Sequence, residues 1–166
     1  VSATRPEPKA SPALRPVTAA DREFLFEVYA ATRAEELAPV AWSAAQKEAF
    51  LRQQFEAQDR WWRLQYPECS FQVVEIDGRP AGRLYVDRRP AEIRLVDIAL
   101  LPEFRRLGAG TRLIGDLQRE AGAAGVPLTI HVERFNPARS LYDRLGFREI
   151  GAAGEVYRLL EWRPVS

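Results

Sequence analysis

Cys69 and His131 are the only cysteine and the only histidine in 166 residues. An internal disulfide is therefore excluded, and a zinc site made of protein ligands alone lacks donors, so no metal cofactor is expected. Lysine is almost as scarce, with Lys9 and Lys47 alone, and the formal net charge is only +1 at pH 7. Charges of both signs are interspersed without a basic stripe, which argues against nucleic acid or a membrane surface as partner. Long apolar runs are missing too. No stretch approaches the ~20 residues of a membrane span, and the Pro/Ala/Ser-rich residues 1–16 hold no apolar segment of the kind that directs export. The expectation is a cytoplasmic protein, with residues 1–12 a flexible tail and 13–166 a single domain long enough to bury a core.

Within that domain the local signals are dense. Thr18-Ala19-Ala20-Asp21 has the form of a capping box, and Phe24, Leu25, Val28 and Tyr29 follow at helical spacing, predicting a helix near 21–33. Ser43 with Gln46 repeats the signal for a second helix to about Ala57, after which "RWWRLQYP" forms an aromatic cluster. Phe71–Ile76 and Ala81–Val86 flank Asp77-Gly78 as a hairpin, and Ile93–Leu101 is a further apolar strand closed by Pro102. Leu113, Ile114, Leu117 and Ala121 share one helical face. "VPLTIHVE" reads as a strand. Asn136-Pro137 opens a short helix striped by Leu141 and Leu145 and closed by Gly146. Phe147–Ala152 and Val156–Trp162 close the chain as an antiparallel pair. With a strand around Leu14, the order predicts a mixed α/β (α+β) domain whose mostly antiparallel sheet has six to seven strands, with about four helices.

Gly108-Ala109-Gly110 lies between the strand of "DIALLPEF" and a helical pattern, where unpaired N–H groups and the positive end of the helix dipole make an anion site. A Rossmann fingerprint would need Gly or Ala where Leu113 stands, and a P-loop would need Gly-Lys-Ser/Thr, which is absent. Taken alone, the loop reads equally well as a glycine-rich turn into a helix.

Three features in order change that reading. Arg105-Arg106-Leu107-Gly108-Ala109-Gly110 fits R/Q-x-x-G-x-G/A, it follows a strand, and "NPARSLYDRLGF" comes some 25 residues later. The combination resembles the GNAT superfamily of acyl-CoA-dependent N-acetyltransferases, in layout from about 13 to 162 and most strongly from 93 to 150. The resemblance implies acetyl-CoA as co-substrate and a sheet splayed between the fourth and fifth strands. The pyrophosphate would lie on the amides of Arg106, Leu107, Gly108, Ala109, Gly110 and Thr111, aided by the charge of Arg105 or Arg106 and the Thr111 hydroxyl. Pantetheine would pair with the strand end at Leu100 as an added strand, and Asn136 would both cap its helix and touch the cofactor.

By the same resemblance Tyr142 would protonate the departing thiolate. Its residue type also suits a ring filling the helix–sheet interface with the hydroxyl in water. The base is less determined. The strand glutamate of histone-acetylating relatives falls on Arg94, and the glutamate that precedes the motif Asn by five residues in N-terminal acetyltransferases falls on His131. Thr129, His131 and Glu133 share one strand face, and an imidazole could accept the amine proton directly or through water. A structural His131 is the other reading, with Glu92 or Asp97 then carrying the proton; Asp97 could instead be a buried, hydrogen-bonded carboxylate fixing the strand end. Trp61, Trp62 and Tyr66 would wall or cover the acceptor site, or simply pack on the sheet. The expected reaction is acetyl transfer to a small-molecule amine or to a protein or peptide amino group. An acyl-CoA-binding sensor without turnover is the alternative from another class, and a homodimer is left open.

Overall fold

The computed structural model describes residues 11–165. Strand β1 (Pro12–Pro16) is followed by helices α1 (Arg22–Leu37) and α2 (Ala44–Gln65) and by strands β2 (Ser70–Ile76), β3 (Arg79–Arg88) and β4 (Ile93–Leu100). Helix α3 (Ala109–Ala124), β5 (Leu128–Glu133), α4 (Arg139–Arg144), β6 (Arg148–Ala153) and β7 (Tyr157–Trp162) complete the chain. The seven strands form one sheet in the order β1-β2-β3-β4-β5-β7-β6, antiparallel everywhere except between β4 and β5. This is the mixed, mostly antiparallel architecture that the element order predicts. Residues 1–10, most of the expected tail, lie outside the described residues, and Pro12 already pairs with Ile76.

Local chemistry explains most element ends. Ser43 Oγ accepts from Gln46 N at 3.1 Å while Ser43 N donates to Gln46 Oε1 at 2.9 Å, the reciprocal box that starts α2. Asp77 and Gly78 both stand at positive φ, as a tight hairpin between right-twisted strands demands. Three boundaries differ most from expectation, the first being the end of α1, which runs to Leu37, four residues beyond 33. Helix α2 runs through "RWWRLQ" to Gln65, eight residues beyond Ala57, because no breaker intervenes before Pro67 and Trp62 gains burial by staying in register. Helix α4 begins at Arg139 rather than beside Pro137, although Asn136 Oδ1 still accepts from Ala138 N at 2.8 Å.

The sheet is covered on both faces. One face carries Leu84, Val86, Leu95, Leu128, Ile130 and Val132 against the apolar stripe Ala109, Leu113, Ile114, Leu117 and Ala121 of α3. A truncation such as Leu117→Ala in that layer costs ~2–5 kcal/mol. The other face carries Arg83 and Tyr85 against Trp62 of α2, with Leu25, Phe26, Tyr29 and Phe55 forming a second, smaller core.

Candidate active site

Pairing between β4 and β5 lasts for three residues only: Ile93 with Leu128, Arg94 with Thr129, and Leu95 with Ile130. Beyond that point β4 stays with β3 and β5 stays with β7, so the two strands diverge and leave a gap in the sheet. A β-bulge sits where the divergence begins. Tyr85 faces Asp97 while Val86 faces Leu95, which leaves Val96 without an opposite residue. The extra residue bends β4 away from β5.

At the far end of β4, the chain turns through Pro102–Phe104, and Gly108 enters α3 at φ +83, a left-handed backbone that a side chain would strain. Gly108 supplies no side-chain cap, and among the described residues no backbone N–H from Arg106 to Thr111 donates outside the helix. The first turn of a 16-residue helix thus keeps its donors free, with the positive end of the dipole behind them. Gly110 is instructive because its backbone is helical and an added Cβ would meet nothing within 4 Å. Neither φ nor protein packing asks for glycine there.

Leu101 N donates to Ala81 O of β3 at 2.8 Å, so by the alternation of a strand the polar groups of Leu100 face the gap. The Leu100 carbonyl accepts from Arg105 Nε at 2.9 Å. Arg105 is therefore fastened to the strand end. Arg106 is exposed and has a left-handed backbone, φ +63, unusual for a residue with a side chain. Leu107 and Thr111 are exposed beside it, and Ala109 is buried against the core.

Tyr142 is the most buried residue of α4, deeper than the Leu141 and Leu145 expected to form its stripe. Its ring packs edge-on to Phe147 at 5.6 Å. The Tyr142 hydroxyl bonds no described residue, and the residue as a whole is buried. Burial first, and the charge of Asp97 second, push its pKa well above the ordinary phenol value. It keeps its proton at any working pH.

On the opposite face the polar residues of the gap interlock. Asp97 accepts from the buried Arg83 Nε at 2.6 Å, across the β3–β4 ladder. Arg94 Nε donates to Thr129 Oγ1 at 2.8 Å, and Thr129 donates to Glu92 Oε2 at 2.7 Å. Burial works against the Glu92 carboxylate, but the Thr129 bond and the charges of Arg94 and Arg89 outweigh it and hold the group below its usual value. His131 is exposed on one side, with Nδ1 3.2 Å from Arg94 Nη1. Partial desolvation and then the Arg94 charge lower its pKa. Glu133 lies on the same face and comes within 3.6 Å of Arg33 of α1.

The aromatic cluster divides. Trp62 is buried edge-on to Tyr85 at 5.5 Å, and Trp61 stays exposed, 6.2 Å from the half-buried Tyr66. Sequence reasoning missed Arg83. An arginine inside the otherwise apolar "AGRLYV" was the available signal for a buried ion pair. Among the described residues no cluster of three or more His, Cys, Asp or Glu side chains has the disposition of a metal site, and no helix is long and apolar enough to cross a membrane.

A model of the acetyltransferase (GNAT) family matches residues 32–147. An N-alpha-acetyltransferase of Sulfurisphaera tokodaii is 30% identical over 106 residues, covering 54% of this chain and 63% of that protein. The ribosomal protein bS18-alanine N-acetyltransferase of Haemophilus influenzae is 36% identical over 67 residues, covering 40% and 46%. In both cases the chain spans less than two thirds of the curated relative's length. Among solved structures, the PaiA N-acetyltransferase of Thermoplasma acidophilum in complex with coenzyme A superposes with a TM-score of 0.67 at 20% identity, over 92% of this chain and 98% of that one. The Ard1 structure of Thermoplasma volcanium gives 0.59 at 15% identity, over 93% and 99%.

Proposed function

The chain belongs to the GNAT acetyltransferase family, and we propose on that premise that residues 13–166 form one domain that transfers an acetyl group from acetyl-CoA to an amine. The observation that carries the proposal is the uncapped first turn of α3, placed at the end of the strand that borders the gap. Amides from Arg106 to Thr111 would receive the pyrophosphate, with Arg106 as the free cation beside them, and Gly110 would let the phosphates approach. Pantetheine would extend along the gap side of β4 and share or displace the Arg105 contact at Leu100. Bound in this way, coenzyme A supplies the thioester that undergoes transfer.

Tyr142 is the proposed acid. A phenol is protonated at neutral pH, and a thiolate leaving toward the Tyr142 hydroxyl would take that proton. Asn136 spends its Oδ1 on the helix cap, which leaves its amide N–H groups as the part that could reach the cofactor. The base role expected for His131 needs a lone pair on the ring, and Arg94 already faces Nδ1. On the acceptor side, a small amine and a protein or peptide amino group both remain within the proposal, in a cytoplasmic setting. The two curated relatives named above, one an N-alpha-acetyltransferase and one acting on a ribosomal protein alanine, support the peptide class. The test is release of free CoA from acetyl-CoA across a panel of amines and peptide N-termini. Turnover with at least one acceptor is expected, and hydrolysis at the background rate throughout would overturn the reading.

A further inference from the structure

The two positions at which a carboxylate base was sought, Arg94 on β4 and His131 on β5, touch one another. Arg94 Nη1 lies 3.2 Å from His131 Nδ1. A guanidinium stays charged and offers donors only. In that contact Nδ1 is therefore the acceptor, and the neutral ring carries its hydrogen on Nε2.

Arg94 is not free to turn away. It is buried, its Nε donates to Thr129 Oγ1 at 2.8 Å, and its Nη2 stands 3.4 Å from both carboxylate oxygens of Glu92. Thr129 closes the ring of contacts by donating to Glu92 at 2.7 Å. The backbone fixes the arrangement as well, because Arg94 and Thr129 are paired in the short parallel ladder and His131 is the first residue of β5 past its last pair, Leu95 with Ile130.

On the acetyl-transfer reading above, we infer that Arg94 is a positioning residue that holds His131 in the Nε2–H tautomer, so that the ring presents a hydrogen-bond donor to the gap and serves the acyl oxygen as charge develops on it. Taking a proton at Nε2 would first require moving the ring hydrogen to Nδ1, where it would oppose a guanidinium N–H. Taking one at Nδ1 would require breaking the Arg94 contact. A neutral imidazole with a lowered pKa is suited to the donor task, since it polarises a carbonyl without needing to be recharged between turnovers.

The step balances without His131 gaining or losing a proton. The neutral amine nitrogen attacks the thioester carbon, the C–S bond breaks, and the thiolate takes the proposed Tyr142 proton. The proton left on the new amide nitrogen passes to solvent water, and the Tyr142 phenolate takes one back from solvent, so the enzyme ends as it began. The carboxylates nearest this ring of contacts are committed: Asp97 to Arg83, Asp87 to Arg89, Glu92 to Arg94, Arg89 and Thr129, and Glu133 most nearly to Arg33.

Because the chain has one histidine, a long-range proton–nitrogen correlation spectrum of histidine-labelled protein reads this ring alone. At about pH 8, where an imidazole of lowered pKa is neutral, Nε2 is expected at the shift of a protonated nitrogen and Nδ1 at that of an unprotonated one. Arg94→Met should shift both toward the average of exchanging tautomers. A wild-type spectrum of the Nδ1–H form, or an averaged one, overturns the inference. A second arm uses turnover. His131→Gln keeps an N–H near the Nε2 position and cannot act as a base at neutral pH, so it should stay within ~10-fold of wild type while His131→Ala falls ~10²-fold, the scale of one lost oxyanion donor. Equal losses for Gln and Ala, or a His131→Ala loss that vanishes at alkaline pH, would return the base role to the ring. The spectrum needs no substrate and no variant, so it decides the tautomer even if Arg94→Met does not fold or if no amine is ever acetylated, the latter result counting against the transfer reading alone.

Discussion

Arg105 Nε donates to the carbonyl oxygen of Leu100 at 2.9 Å, so the arginine that opens the glycine loop is tied to the end of β4. Its neighbour Arg106 is exposed, at φ +63. The charge available to a pyrophosphate is then mainly that of Arg106. Arg106→Gly should weaken acetyl-CoA binding several-fold, an effect that shrinks as salt is raised, while relieving ~1 kcal/mol of backbone strain. Titration calorimetry at low and high salt, beside a melting curve of the free protein, measures both halves.

Gly110 separates stability from binding in the same way. Its backbone is helical and the space around a Cβ is open, so Gly110→Ala should stabilise the free protein by roughly 0.5–1 kcal/mol and raise its Tm by a few degrees. The same methyl would stand where the phosphates need to approach and should reduce the additional Tm shift produced by acetyl-CoA. A variant that melts higher and still gains the full shift would locate the anion elsewhere.

Tyr142→Phe retains the ring against Phe147 and removes only a hydroxyl that bonds no described residue. Turnover should fall ~10²-fold with CoA affinity within a few fold of wild type. Because burial raises the phenol pKa, wild-type turnover should not decline on the alkaline side for want of this proton within the range where the fold survives. Unchanged turnover in the variant returns Tyr142 to packing alone.

Asp21 offers a test of the frame itself. Its carboxylate takes two bonds from Arg15, at 2.8 and 2.9 Å, and a third from Thr18 N at 2.7 Å, and these contacts hold its pKa well below the ordinary carboxylate value. The folded value is lower than the unfolded one, near ~3.9, so the stabilisation is complete above that pH and is lost as pH falls toward the folded value. Asp21→Asn should cost ~1–3 kcal/mol at neutral pH, and the deficit should narrow below about pH 4. Urea unfolding of both proteins across that range reads the difference.

Much of this was legible because it is local. The boxes at Thr18–Asp21 and Ser43–Gln46, the Asp77-Gly78 hairpin and the stripe of α3 are each written within a few neighbouring residues, and the folded chain uses them in place. The contacts that define the gap are not local. Arg94 meets His131 and Arg83 meets Asp97 only after register sets which residues stand opposite, and nothing in the sequence around Val96 marks the bulge that separates β4 from β5. The length of α2 was hidden for a related reason, since Trp62 is held in the helix by burial on Tyr85 of a distant strand. Sequence reasoning located His131 on the right strand face. What it lacked was the ring's partner.

The most direct test of the account is a thermal melt of the full chain with and without acetyl-CoA. A ligand that binds only the folded state stabilises it by about 2.7 kcal/mol at a hundred times its Kd, so millimolar acetyl-CoA should raise the Tm by several degrees, with desulfo-CoA close behind and adenosine, which lacks the pyrophosphate, far less effective. No shift at millimolar acetyl-CoA, or an equal shift with adenosine, would contradict a pyrophosphate site at the first turn of α3.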